Sequence, residues 1–301
     1  MLSWILITIF AHFLNATVVI IDKHIVSNTA LKPVAYTFFS GVFQILFLAL
    51  IPVVGFTMPE SRLFIIGIAN GALFIFALLV FYKALKLGEA SIVMPVVGAT
   101  IPVFTVLLSY IIFGELLAAG QFMAFSFFVA GGFLLSSKLD HGKFSMAKGF
   151  LLAVLAGFLF ALYYTLIKYL YLQMSFFDGF FLFQFGGFLG AMLLLASKQN
   201  REKIFSAPET IKKRTACLFV PNKILAALAA TLIFYAISIE ESKIAIINSL
   251  QSIQYVFILL FAIVLSKKFP KLYHEQAGGK IIFQKIFAII LIGIGLVLLV
   301  G

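Results

Sequence analysis

The chain has 301 residues, of which 63% are apolar and 11% charged, and its net charge is +11. Soluble domains are about half apolar and about a quarter charged, so a soluble enzyme and a nucleic-acid binder are excluded. With a mean hydropathy of +1.16 and roughly 190 apolar residues, the chain can supply about ten membrane spans of about 20 residues each, with almost nothing left for a domain outside the bilayer.

Ten apolar runs follow one another: 2–21, 33–54, 63–82, 91–113, 117–137, 149–167, 178–197, 223–239, 244–266 and 281–300. The first has neither a basic flank nor a small-residue cleavage site, which predicts a retained span and not a signal peptide. Asp22, Lys23 and His24 mark the first break, and Pro59, Glu60 and Arg62 the second. A tight turn is expected at Gly114-Glu115, and a polar linker over 138–148. The longest break, 197–222, is strongly basic. Within it Ser206-Ala207-Pro208-Glu209 forms a capping box with an early proline, which suits either a short surface helix or a solvated loop. Uninterrupted apolar runs of this length lack the period-2 alternation of barrel strands, so the spans are predicted as helices. Cys217 is the one cysteine, and no intramolecular disulfide can form.

The chain carries an internal repeat. Asn15-Ala16 followed by Lys23 returns as Phe160-Ala161 followed by Lys168, at an offset that also pairs Gly41 with Gly186. Further on, Phe81-Tyr82 pairs with Phe234-Tyr235, and Gln121 and Gly132 pair with Gln284 and Gly295. The expected fold is therefore an all-α integral membrane protein of ten transmembrane helices arranged as two inverted five-helix repeats, residues 1–137 and 149–301. Five is odd, so the second copy must enter the membrane the other way up, as in many secondary transporters. Of the 22 Lys and Arg, all but Arg62, Lys168 and Lys243 fall in the breaks of one face. The positive-inside rule makes that face cytoplasmic and leaves both termini outside.

Over Tyr82-Lys-Ala-Leu-Lys-Leu-Gly-Glu-Ala-Ser91-Ile-Val-Met-Pro95, then Pro102 and Phe113-Gly114-Glu115, the chain resembles drug/metabolite transporters of the EamA-like type. The likeness is specific over 82–115 and extends over the rest of the chain in architecture. The second-half counterparts read Gln254-Tyr255 and Ser266-Lys267-Lys268. The resemblance implies a secondary carrier, commonly an exporter of metabolites or amino acids, with a cavity between its halves.

Polar groups at membrane depth are costly unless they meet a partner or water, so they are the candidate substrate-binding residues. Asn248, Gln251, Ser252 and Tyr255 share one face of the ninth run, with Gln254 turned away; interhelical hydrogen bonding is the alternative role for this patch. His12 and Asn15 share a face of the first run. Asn70 lies inside Gly67-Ile-Ala-Asn-Gly71, where the glycines favour close helix packing, as do Gly186 and Gly190. Tyr163 and Tyr164 offer ring faces and hydroxyls. Pro95 and Pro102 favour a kink. No carboxylate lies mid-span, which points to a small neutral or zwitterionic solute, an amino acid first, over a cation coupled to a carboxylate. The alternative substrate, a nucleotide- or lipid-linked sugar, would need cationic contacts from Lys23, Lys83, Lys86 and the 198–223 segment. A membrane-embedded enzyme would need an acid/base pair or metal cluster that the sequence does not display. No cofactor, metal or nucleic-acid partner is expected. The partners are the solute and the lipid of a plasma membrane (a bacterial inner membrane), and a duplicated chain forms both halves of a pathway as a monomer.

Overall fold

The computed structural model describes residues 2–28, 32–87, 90–136, 149–205, 213–240, 244–268 and 279–300. The expected linker 138–148, the capping box at Ser206 and Lys243 lie outside them. In chain order the helices are α1 (Leu2–Asn28), α2 (Pro33–Gln44) continuing through a 3₁₀ turn (Ile45–Leu50) into α3 (Ile51–Val54), α4 (Ser61–Leu87), α5 (Ala90–Phe113), α6 (Ala119–Ser136), α7 (Phe150–Tyr171), α8 (Phe176–Leu194), α9 (Lys198–Phe205), α10 (Lys213–Ile239), α11 (Ile244–Ser249), α12 (Gln251–Lys268) and α13 (Gly279–Val300). Among the described residues, seven helices are long and apolar enough to cross a membrane, as a multi-pass helical membrane protein requires. Large apolar side chains such as Leu151, Phe283 and Val297 face outward, the arrangement that suits lipid and not water.

Three elements depart from the sequence expectation. The first helix does not stop at residue 21 but runs on to Asn28, because Asp22 finds donors inside the bundle. The eighth begins ten residues early and carries Pro221 in its interior. The ninth is broken: the Leu250 N–H bonds back to Ile246 O, then the Ile253 N–H reaches Leu250 O across only three residues, so α11 and α12 meet at a tightened turn. By contrast α5 runs unbroken through Pro95 and Pro102. The Gly114 turn is as expected: Gly114 takes φ +68° and its N–H caps Tyr110 O at 2.9 Å, a left-handed stop that glycine adopts without steric cost.

The bundle is closed by close backbone approach. α4 packs on α7 and α8, α5 on α7, α1 on α10 and α12, α2 on α8, and α6 on α13. Both small-residue motifs meet at the α4–α8 crossing. A Cβ on Gly71 would lie 2.2 Å from Phe183 O, and one on Gly186 would lie 2.2 Å from Ile68 O. Gly67 faces Leu182 and Gly190 faces Ala72. These glycines pack helices together, as their spacing suggests.

Candidate functional site

The expected site residues fall into three sets. His12 lies near the middle of the Ser3–Asp22 span and is buried at 4% exposure. The Gln254 side chain and the Ile247 backbone at the α11–α12 turn face it, yet neither imidazole nitrogen makes a hydrogen bond of normal geometry. Gln254 points away from the face that Asn248 and Ser252 share, as expected, and toward His12 on α1. Asn15 is half-buried, one turn along α1.

The second set joins α4 to α7. Asn70 is fully buried; its Nδ2 donates to Tyr163 O at 3.2 Å, and its Oδ1 has no partner. The Tyr163 ring sits among Phe74, Phe183, Phe234 and Tyr164, with centroids 4.9–5.9 Å away. Its hydroxyl is buried and unpartnered. Four helices thus supply an aromatic wall that the sequence reading did not single out among 37 phenylalanines.

The third set is engaged in packing. Asn248 Nδ2 donates to Thr105 Oγ1 at 3.0 Å, tying α11 to α5. Ser252 Oγ donates to Phe128 O at 2.6 Å, tying α12 to α6. Both take the interhelical role that was the alternative for this patch. Gln251 is half-buried, and the Tyr255 side chain lies outside the described residues.

Two ion pairs flank these groups. The C-terminal part of α1 and the first turn of α2 define one end of the bundle. There the Tyr36 hydroxyl donates to Asp22 Oδ1, Tyr82 approaches Oδ2 at 3.5 Å, and Asn222 Nδ2 donates to Oδ1 at 2.6 Å. Lys223 Nζ is 3.4 Å from the same oxygen, with side-chain exposures of 9% for Lys223 and 17% for Asp22. At the opposite end Lys168, its side chain 1% exposed, pairs with Glu115 and lies 4.5 Å above the Phe113 ring. Sequence reading left these charges in solvated breaks. The available signal was that each pair joins opposite charges from two breaks of the same face.

Among the described residues no group of three or more His, Cys, Asp or Glu could hold a metal ion. Among the described residues, the buried groups without a hydrogen-bond partner include the His12 imidazole, the Asn70 Oδ1 and the Tyr163 hydroxyl, with the Gln44 Oε1 and the Ser109 Oγ; Asn70 and Tyr163 stand at the aromatic wall. They can hydrogen-bond a small polar molecule and cover an apolar part of it.

No protein-family profile and no curated protein matches the sequence. A solved chain, described only as the crystal structure of a protein, superposes with a TM-score of 0.68 at 18% identity, over 98% of this chain and 96% of that one. At that identity the likeness establishes that the two chains share a fold.

Proposed function

We propose that the chain is a secondary carrier of the EamA-like drug/metabolite type, with ten spans in two inverted halves, moving a small neutral or zwitterionic solute by alternating access. An amino acid is the chemistry that suits the site best. The observation that carries this reading is the set of buried hydrogen-bonding groups without partners on three spans: His12, the Asn70 Oδ1 and the Tyr163 hydroxyl. An unsatisfied polar group inside a protein costs about 1–3 kcal/mol, and three of them in a membrane bundle are explained if a solute or water uses them in turn.

The repeat supports the inverted arrangement. Lys23 and Lys168 hold the same position in the two copies, and the ion pair of Asp22, the neighbour of Lys23 in sequence, lies at the opposite end of the bundle from that of Lys168. Helices that the repeat relates to each other, α2 with α8 and α6 with α13, also pack together, as elements beside a two-fold axis must. A carrier for a nucleotide- or lipid-linked sugar is less favoured, because its phosphates call for several cations together, and Lys83, Lys86 and Lys198 are exposed while the buried Lys223 lies beside the Asp22 carboxylate. The membrane is taken as a bacterial inner membrane with the basic breaks cytoplasmic, and the direction as export. Counterflow into liposomes preloaded with unlabelled amino acids tests the reading: saturable uptake of at least one radiolabelled member supports it, and no uptake of any member removes the amino-acid assignment.

A further inference from the structure

Building on that carrier reading, we propose that Asp22 and Lys223 form a second subsite, for the charged ends of a zwitterion, held shut by Tyr36 and Tyr82. The elements divide into two packed groups here. α1 lies on α10, whereas α2 lies on α4 and α8. Asp22, Asn222 and Lys223 belong to the first group. Tyr36 and Tyr82 belong to the second and reach across the seam. Their rings meet edge to face at 4.9 Å, which aims both hydroxyls at one carboxylate. The Tyr36 ring also lies 4.1 Å from Lys223 Nζ and 5.5 Å from the Phe219 ring. The seam is thus joined by two phenolic hydrogen bonds and one shared ring.

The charged half of this cluster is incompletely satisfied. Lys223 Nζ stands 3.4 Å from Asp22 Oδ1, longer than a charge-assisted bond of about 2.7–2.9 Å, and among the described residues it also meets the Tyr36 and Phe219 ring faces. The Asn222 side chain is buried at 1% exposure, beside Asp22, and its Oδ1 has no partner. An ammonium group would find two acceptors, the Asp22 carboxylate and the Asn222 Oδ1; a carboxylate would find the Lys223 donors. The tyrosine hydroxyls are neutral donors, and ammonium donors to a carboxylate are stronger. A zwitterion therefore exchanges for the two hydroxyls, and the exchange releases α2 and α4 from α1 and α10. Loading and opening of this end become one event.

The test is titration of the purified protein in detergent with α-amino acids, their N-acetyl derivatives and their amides. The wild type should bind at least one amino acid and lose at least tenfold in affinity when either charge is blocked. Asp22→Asn should abolish the penalty for blocking the amine, and Lys223→Gln the penalty for blocking the carboxylate. The double variant Tyr36→Phe with Tyr82→Phe, which keeps both rings, should bind several-fold tighter; it decides the matter if the charge variants fail to fold. Equal binding of blocked and free amino acids, unchanged penalties in Asp22→Asn and Lys223→Gln, unchanged affinity in the double variant, or no binding of any amino acid overturns the subsite. Counterflow of the same solutes separates the two ideas. Saturable counterflow with a charge preference that Asp22→Asn leaves intact sinks the subsite alone. Charge-selective binding lost in Asp22→Asn, without counterflow, sinks the carrier reading alone.

Discussion

Gly71→Ala is the sharpest probe of how the bundle is closed. The added methyl would sit 2.2 Å from Phe183 O, 2.6 Å from Gly187 N and 2.8 Å from Gly186 C. All three are backbone atoms of α8 and cannot rotate aside. Since ordinary contact needs about 3.4 Å, α4 and α8 must part by about 1.2 Å there, well past the gap of 0.5–1 Å that already forfeits a quarter to a half of each dispersion contact. Overpacking usually costs about 1–3 kcal/mol, and with rigid backbone on the far side the upper end, about 3 kcal/mol, is expected. Gly186→Ala meets Ile68 O at the same 2.2 Å and should cost as much. Gly293→Ala is the control: nothing lies within 4 Å of its would-be Cβ, and taking a glycine from the interior of α13 should stabilise by up to about 1 kcal/mol. Melting followed by far-ultraviolet circular dichroism in detergent reads the difference, at about 2 °C per kcal/mol for a chain of this size. Gly71→Ala melting within about 1 °C of wild type would refute the close crossing that carries this reasoning.

Three further predictions rest on single contacts. Tyr163→Phe removes a buried hydroxyl that has no partner, so it should leave stability unchanged or raise it by about 1 kcal/mol while lowering counterflow; a lower melting temperature would mean that the hydroxyl is engaged in packing. At the Lys168–Glu115 pair the order of damage is set by burial. Glu115→Gln strands a buried ammonium and should cost about 2–3 kcal/mol, whereas Lys168→Met frees a half-exposed carboxylate to water and should cost under about 1 kcal/mol; unfolding of the two variants in denaturant would show the reverse order if the pair were mainly serving Glu115. Asn248→Ala and Thr105→Val each break one interhelical hydrogen bond and should each cost about 1 kcal/mol. Their double variant should cost little more than either single, and full additivity would show that the 3.0 Å contact contributes nothing.

Seven of the expected spans were legible as long apolar helices, because an apolar run of about 20 residues leaves a chain few alternatives in lipid. The packing glycines were legible for a similar reason: Gly67, Gly71, Gly186 and Gly190 recur one turn apart, where a side chain would hold helices off. What escaped was set by tertiary partners. Asp22 read as a helix end because a carboxylate normally leaves the bilayer, but donors from α2, α4 and α10 retain it within α1. Pro221-Asn222-Lys223 read as the end of a loop, since proline is a poor interior residue and lysine a poor buried one; the helix passes through them with Asp22 as the counter-ion. The ninth run was read as one continuous helix, because apolar composition alone does not mark the tightened turn at Leu250. Asn248 and Ser252 drew attention as a polar stripe, but helical phase cannot tell a neighbouring helix from a cavity.

The most direct test of the carrier account is counterflow in proteoliposomes, run side by side for wild type, His12→Leu and Tyr163→Phe, with an amino-acid panel and melting curves for all three proteins. The account predicts saturable uptake by the wild type that falls at least tenfold in both variants while their melting temperatures hold or rise. Uptake unchanged in both variants, or no uptake by a wild-type protein that melts cooperatively, would contradict it.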